Sequence, residues 1–180
     1  MAARNGRLTS QASDCHQHRP HRSLRKALLK MPVRLSDLLA LVAFLAAVTG
    51  VASLGAVFKP GAWYTELAKP AWTPPSAIFA PVWTTLYLLI AIAGWLSWRR
   101  GGQTGPLAVW IAALLFNAAW SWLLFGRHWI GAALVDIAVL WCAILVFIML
   151  SWRLTPAASL LFTPYLLWVS FAAALNLQIW

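Results

Sequence analysis

The sequence predicts an all-α membrane protein, a five-transmembrane-helix bundle. Of its 180 residues, 62% are hydrophobic and 10% are charged, whereas soluble proteins contain about 25% charged residues. Five apolar stretches are each long enough to span a bilayer, since about 20 residues at a rise of about 1.5 Å cross a hydrocarbon core of about 30 Å. The alternation of polar and apolar residues that a transmembrane β-barrel requires is absent from these stretches.

Short polar breaks separate the second to fifth predicted spans. The spans cover approximately residues 38–58, 79–98, 106–125, 130–152 and 156–178. Arg99 ends the second span, Gly126 the third and Arg153 the fourth. Pro106 and Pro156 lie where helices begin, and the first helical turn tolerates proline because its N–H groups have no partner within the helix. We therefore expect sharp helix boundaries and short connections between these four spans.

A basic tail, residues 1–36, precedes the predicted membrane domain, residues 37–180. The tail holds eight of the 14 Lys and Arg residues, so most of the net charge of +10 is concentrated there. This charge indicates attraction to an anionic membrane surface rather than nucleic-acid binding. The tail fits three interpretations: a disordered arm, a targeting segment, or an extension upstream of a true start at Met31. Its Cys15, His16, His18 and His21 match no zinc-binding pattern, so we predict no metal site.

The distribution of positive charge predicts a cytoplasmic amino terminus. Five spans place the two chain ends on opposite sides of the membrane. One side carries the tail and three arginines that follow the second and fourth spans, while the other carries three basic residues. The positive-inside rule places the more basic side in the cytoplasm. If Met31 is the true start, the count becomes four against three and the orientation stays open.

The loop between the first two spans predicts a rigid, structured lid. Proline fixes one backbone dihedral and so restricts a loop, and long loops in compact domains are frequently functional. Within 22 residues the chain contains five prolines and three large aromatic residues: Pro60, Pro70, Pro74, Pro75 and Pro81, with Trp63, Tyr64 and Trp72.

Polar and aromatic residues of the later spans lie at similar depths beneath this lid. At about 1.5 Å per residue, Trp83 lies about 6 Å deep, and Tyr87 and Asn117 about 12 Å. Asp136, the only acid within a span, lies at about 9 Å and Trp168 at about 15 Å. Because polar side chains in hydrocarbon face a bundle interior or cavity, this level predicts an aromatic ligand pocket. Taken singly, each residue also fits a structural role, as a hydrogen-bond partner or a packing group.

Several classes of chemistry lack the residues that they need. The spans contain no histidine and the chain no Cys-x-x-Cys-His, so we do not expect a haem held by an axial histidine of the bundle. Paired carboxylates, a Ser-His-Asp set and phosphate-binding glycine loops are also missing. The sequence therefore predicts no obligatory cofactor and neither ordinary hydrolysis nor phosphoryl transfer.

Four motifs occur in a distinctive order along the chain. They are Trp63-Tyr64-x-x-Leu67-x-Lys69-Pro70-x-Trp72-x-Pro74-Pro75, Phe79-x-Pro81-Val82-Trp83-x-x-Leu86-Tyr87, Asn117-x-x-Trp120-Ser121-x-x-x-Phe125-Gly126 and Pro164-Tyr165-Leu166-x-Trp168-x-x-Phe171-Ala172-x-x-Leu175-Asn176. Over residues 37–180 the sequence closely resembles the TspO/MBR family. These are the tryptophan-rich sensory proteins, which include the translocator protein or peripheral-type benzodiazepine receptor.

The resemblance implies a membrane protein that binds a tetrapyrrole, protoporphyrin IX or haem, as its ligand. It also implies sterol-like or drug-like ligands in some members, a homodimer formed through membrane helices, and a location in the bacterial cell envelope or the mitochondrial outer membrane. The depth count adds Tyr87 to the residues that the resemblance assigns to ligand binding: Trp63, Trp72, Phe79, Trp83, Asn117, Trp120, Asp136, Trp168, Ala172 and Leu175.

Three functions stay open on the sequence. The first is a receptor that senses or regulates porphyrin levels or oxidative stress. The second is porphyrin degradation driven by light and oxygen, with Trp63 and Trp72 as candidate catalytic residues. The third is transport of porphyrin or small hydrophobic molecules, which the lack of an obvious inverted repeat disfavours. The sequence also departs from the mammalian members, with Ala132 in place of a pocket tryptophan and without the Tyr and Arg of their cholesterol motif up to Trp180. Porphyrin is therefore expected rather than sterol.

Overall fold

The computed structural model describes residues 34–58, 60–101 and 104–180. These ranges contain six α-helices and no strand: α1 (Leu35–Val57), α2 (Ala62–Glu66), α3 (Phe79–Arg99), α4 (Thr104–Ser121), α5 (Ile130–Trp152) and α6 (Pro156–Gln178). All but α2 are long and apolar enough to cross a membrane, which confirms the predicted five-span α-helical bundle. The predictions for residues 1–33, including the tail, the start at Met31 and the metal-free Cys15 region, lie outside the described residues.

The helix ends differ slightly from the predicted boundaries. At the start of α1, the Asp37 carboxylate accepts a hydrogen bond from the Arg34 backbone N–H at 3.1 Å, and this cap extends the helix to Leu35. A 3₁₀ turn, Ser76–Ile78, leads into α3, and a π-helical turn, Trp122–Gly126, continues α4. Counting apolar residues does not register such caps and turns, because they depend on local hydrogen bonding.

The five spans form a closed ring in the order α1, α3, α6, α5 and α4. The helices α3 and α4 are consecutive in sequence, yet α1 packs against both of them. Buried side chains from every span fill the centre, among them Val48, Ile90, Trp110, Ile144 and Phe162. Large apolar side chains on the outside of the ring face the surrounding hydrocarbon, which solvates them without penalty.

At the end of the bundle opposite the lid, Asp37 of α1 contacts α3 through its side chain and its backbone carbonyl. The Asp37 carboxylate lies 3.3 Å from the Arg99 guanidinium, and the Asp37 carbonyl accepts a hydrogen bond of 2.8 Å from Trp95 Nε1. The Arg99 guanidinium lies 4.8 Å from the centroid of the Trp95 ring. These contacts join the first turn of α1 to the last turns of α3.

We expect Asp37→Asn to lower the free energy of unfolding by no more than about 1 kcal/mol, because partly exposed ion pairs contribute little. Asparagine removes the charge but leaves the backbone carbonyl that accepts from Trp95. Thermal unfolding in detergent at low and high salt measures the effect, and the difference from the native protein should shrink as salt screens the pair. A loss that is the same at both salt concentrations would contradict an ionic contribution.

Candidate functional site

The loop between α1 and α3 folds over one end of the bundle as a structured lid. Lys69 Nζ donates hydrogen bonds to the carbonyls of Tyr64, at 2.7 Å, and Thr65, at 3.2 Å, and so closes the end of α2. The same ammonium lies 4.7 Å from the Tyr64 ring centroid. Burial raises the pKa of the Tyr64 phenol, so Tyr64 is neutral at physiological pH. The lid is thus held by contacts within the loop as well as by its prolines.

One row of aromatic rings runs from the lid into the bundle between α3 and α6. Trp72 of the lid contacts Phe171 with ring centroids 5.7 Å apart, and Phe171 lies 5.5 Å from Trp168. Trp168 meets Phe79 at 5.6 Å and Trp83 at 6.4 Å, in both cases edge to face. Edge-to-face contacts are among the preferred arrangements of aromatic pairs. We call these five residues the α3–α6 aromatic row.

A polar linkage lies at the inner end of this row. Trp83 contacts Tyr87 and Tyr165 at centroid distances of 5.2 and 6.3 Å. The Tyr87 hydroxyl donates to Asn117 Oδ1 at 3.2 Å, and Asn117 Nδ2 donates to the Tyr165 hydroxyl at 2.9 Å. Asn117 is 3% exposed and Tyr165 is completely buried. This linkage joins α3, α4 and α6, and it gives a buried amide the hydrogen-bond partners that it needs.

A second aromatic row lies on the α4 side of the bundle. Trp63 of the lid stacks on His128, with centroids 4.0 Å apart and an interplanar angle of 15°. Tyr64 contacts Phe125 at 5.3 Å, and Phe125 contacts Trp120 at 5.6 Å. His128 has a φ of 58°, a backbone conformation uncommon for residues other than glycine. We call these five residues the α4 aromatic row.

Asn176 of α6 forms side-chain hydrogen bonds to α4 and α5 at the lid-side end of the bundle. Trp120 Nε1 donates to Asn176 Oδ1 at 3.1 Å, and Asn176 Nδ2 donates to the carbonyl of Ile130 at 3.2 Å. The neighbouring α5 also carries Asp136, which is 8% exposed and whose Oδ2 has no hydrogen-bond partner among the described residues. The structure therefore accounts for Asn176 as a structural amide, while Asp136 Oδ2 is buried without a hydrogen-bond partner among the described residues.

The predicted site residues separate into three groups. The α3–α6 aromatic row and its polar linkage bring together Trp72, Phe79, Trp83, Tyr87, Asn117 and Trp168. The α4 aromatic row contains Trp63 and Trp120. Asp136 and Leu175 are buried, and Ala172 packs against the core, but no aromatic or hydrogen-bond contact joins these three to either row within the described part of the chain. The lid supplies one tryptophan to each row.

The sequence analysis did not assign to the site several residues that complete the two rows or contact them. These are Tyr64, Phe125, His128, Tyr165, Phe171 and Asn176. Tyr165 and Phe171 lie three residues before and after Trp168, so helical spacing places them beside it and could have identified them. His128 carried no such signal, because its position depends on the backbone conformation of the turn before α5.

A cavity of about 520 Å³ lies between α3 and α6. It is a groove on the outside of the ring rather than a space enclosed beneath the lid, and Trp168 belongs both to it and to the α3–α6 aromatic row. Its lining residues are Pro81, Val82, Thr85, Leu86 and Leu89 of α3 and Pro164, Leu167 and Trp168 of α6. The described residues contain no group of three or more metal-ligating side chains. The wall of this groove is therefore apolar, and its one aromatic side chain, Trp168, is shared with the α3–α6 aromatic row.

Comparison with known proteins gives consistent similarities over most of the chain. The model of the TspO/MBR family matches residues 39–180. A tryptophan-rich sensory protein of Cereibacter sphaeroides is 36% identical over 135 residues, which are 75% of this chain and 85% of that protein. The tryptophan-rich protein TspO of Chlorobaculum tepidum is 40% identical over 126 residues, covering 67% and 80%. The human translocator protein is 36% identical over 123 residues, covering 66% and 73%.

Proposed function

The chain belongs to the TspO/MBR family, and we propose that it is a membrane receptor that binds a tetrapyrrole, protoporphyrin IX or haem, beneath its lid. Family membership and the five apolar spans make it a multi-pass membrane protein. The name of the relative from Cereibacter sphaeroides describes a sensory protein, which supports a receptor. In this proposal the bound pigment reports porphyrin level or oxidative stress.

The observation that carries the proposal is the pair of aromatic rows descending from one lid. Flat conjugated rings bind well against the faces and edges of tryptophan and tyrosine. The α3–α6 aromatic row offers Trp83 and Trp168 near a buried polar linkage at Asn117. Small-molecule sites commonly combine an apolar aromatic wall with a few polar groups that orient the ligand. A tetrapyrrole fits this combination because its apolar macrocycle carries polar pyrrole nitrogens and carboxylates.

We expect Trp83→Ala to weaken protoporphyrin IX binding by at least about tenfold, because aromatic side chains that a ligand covers dominate binding free energy. Titration of the purified protein in detergent, followed by pigment absorbance and tryptophan quenching, measures the dissociation constant. Trp152→Ala is the matched control, since Trp152 is an exposed residue at the opposite end of α5. The native protein and this control should bind alike and saturably.

Two outcomes of this titration would contradict the proposal. The first is the absence of saturable binding to the native protein at micromolar pigment. The second is an equal loss of affinity in the Trp83 and Trp152 variants, which would indicate non-specific association with tryptophan. Thermal unfolding of each variant shows whether a loss of binding reflects a loss of fold.

A further inference from the structure

The groove between α3 and α6 is continuous with the lipid-facing surface of the bundle. Leu167 lines the groove and is 67% exposed, so in a membrane it contacts hydrocarbon. The groove begins beside Pro81 in the first turn of α3 and extends to Leu89, and it therefore lies within the lid-side half of the span. A molecule dissolved in the bilayer thus reaches the groove without crossing water.

The chemistry of the groove suits an apolar molecule. None of its lining residues is charged. Thr85 supplies the only side-chain hydroxyl, and its Oγ1 donates to the Pro81 carbonyl of its own helix at 3.0 Å. A charged group would lose its hydration inside the groove without meeting a charged partner, so the groove favours the apolar part of a ligand. The volume of about 520 Å³ lies in the range of small-molecule sites, about 300–1,000 Å³.

Trp168 connects the groove to the interior aromatic residues. Its side chain lines the groove and also meets Phe79 at 5.6 Å and Trp83 at 6.4 Å. Val82 and Leu86 of α3 line the groove as well and pack against the core. A change of rotamer at Trp168 would therefore open a direct connection between the bilayer and the α3–α6 aromatic row.

The helix that carries Trp168 is weakened next to the groove. Pro164 lies inside α6 and lines the groove. Proline has no N–H, so the main-chain hydrogen bond to the carbonyl of Leu160 is missing one turn before Trp168. Prolines within helices are sites of bending. This part of α6 moves at a lower free-energy cost than an unbroken helix would.

We propose that the groove is a lateral entrance through which a tetrapyrrole dissolved in the bilayer reaches the α3–α6 aromatic row, with Trp168 as its gate. This inference rests on the proposed function, because the ligand is the same. The macrocycle favours hydrocarbon over water because burial of apolar surface is favourable. Its carboxylates stay at the lid-side membrane surface, where the groove begins beside Pro81 in the first turn of α3. The lid is then a cover over the pocket, and the ligand enters from the membrane at its side.

The entrance is tested by filling the groove. Leu89→Trp and Thr85→Phe, made separately, add bulk to its wall, and Ile111→Trp is the control because Ile111 is exposed on the outer surface of α4. Liposomes containing each protein are mixed with vesicles loaded with protoporphyrin IX, and tryptophan quenching is followed in time. Both filled variants should show association and dissociation rates about tenfold lower, at an unchanged dissociation constant, because a blocked path slows both directions equally.

The outcomes separate the entrance from the proposed function. Saturable binding with native rates in both filled variants would contradict the lateral entrance but not the proposed receptor function. A higher dissociation constant with an unchanged association rate also overturns it, because the groove is then the resting site of the ligand. Absence of saturable binding to the native protein overturns both. Two separate variants are used so that a folding defect in one, detected by thermal unfolding, leaves the other as the test.

Discussion

Gly94→Ala is expected to destabilise the bundle by about 1–3 kcal/mol through overpacking. In an exposed helix the same change stabilises by about 1 kcal/mol, since alanine favours the helix over glycine. At Gly94, however, a methyl group would lie 2.6 Å from Cε2 of Trp110 and 2.9 Å from Cδ1 of Phe44. Trp110 is 4% exposed, and its Nε1 donates to the carbonyl of Ile90 at 2.9 Å. The indole therefore cannot move aside without breaking a buried hydrogen bond.

The consequence extends to the packing of three helices, because at Gly94 the helix α3 meets both α1 and α4. Phe44 of α1 packs on the Trp110 ring of α4 with centroids 5.0 Å apart. Any shift that accommodates the methyl group must separate α1 or α4 from α3. We expect the unfolding midpoint in detergent to fall and the yield of folded protein to decrease. Small residues allow such close approach between membrane helices.

Gly50→Ala is the matched control for this prediction. A methyl group at Gly50, in the middle of α1, would meet nothing within 4 Å. We expect Gly50→Ala to be neutral or slightly stabilising, because only helix propensity changes. If Gly94→Ala unfolded at the same temperature as Gly50→Ala, the close packing of α1, α3 and α4 described above would be wrong.

The spans were predictable from sequence because the bilayer imposes one length and one composition on every crossing segment. The level of Trp83, Tyr87, Asn117 and Trp168 was predictable for a related reason, since a helix rises by a constant amount per residue. Depth along the membrane normal is a one-dimensional quantity, and the sequence carries it directly. These four residues accordingly belong to one connected group in the structure.

Position within the plane of the membrane was not predictable in this way. The ring order, in which α1 contacts α3 and α4 while α6 lies between α3 and α5, depends on side-chain packing between helices. The contacts of the two lid tryptophans also depend on this packing, since Trp72 joins the α3–α6 aromatic row while Trp63 stacks on His128. The outer groove has the same origin, because it requires the crossing of α3 and α6. Depth counted along each span placed residues at one level of the membrane, but it did not distinguish the inside of the ring from its outside.

Asn117→Leu is expected to lower the free energy of unfolding by about 2–4 kcal/mol. It leaves the buried Tyr165 hydroxyl without a partner, at about 1–3 kcal/mol, and the half-buried Tyr87 hydroxyl at a smaller cost. In the native protein Asn117 accepts from Tyr87 at 3.2 Å and donates to Tyr165 at 2.9 Å. Leucine has a similar volume, so packing changes little. A hydrogen bond between membrane helices contributes on average only about 0.6 kcal/mol. Most of the expected loss therefore comes from the two unpaired hydroxyls, and unfolding by denaturing detergent measures it.

A triple variant, Asn117→Leu with Tyr87→Phe and Tyr165→Phe, separates these two contributions. It removes the hydroxyls along with the amide, so no group of this linkage is left buried and unpaired. We expect it to recover at least about half of the stability lost in Asn117→Leu, since replacing both partners by apolar groups is nearly neutral. If the triple variant were less stable than Asn117→Leu alone, the two hydroxyls would have partners other than Asn117. Recovery would show that Asn117 stabilises the bundle by pairing the two tyrosine hydroxyls. Ligand binding by the triple variant would then show whether the linkage also orients the tetrapyrrole.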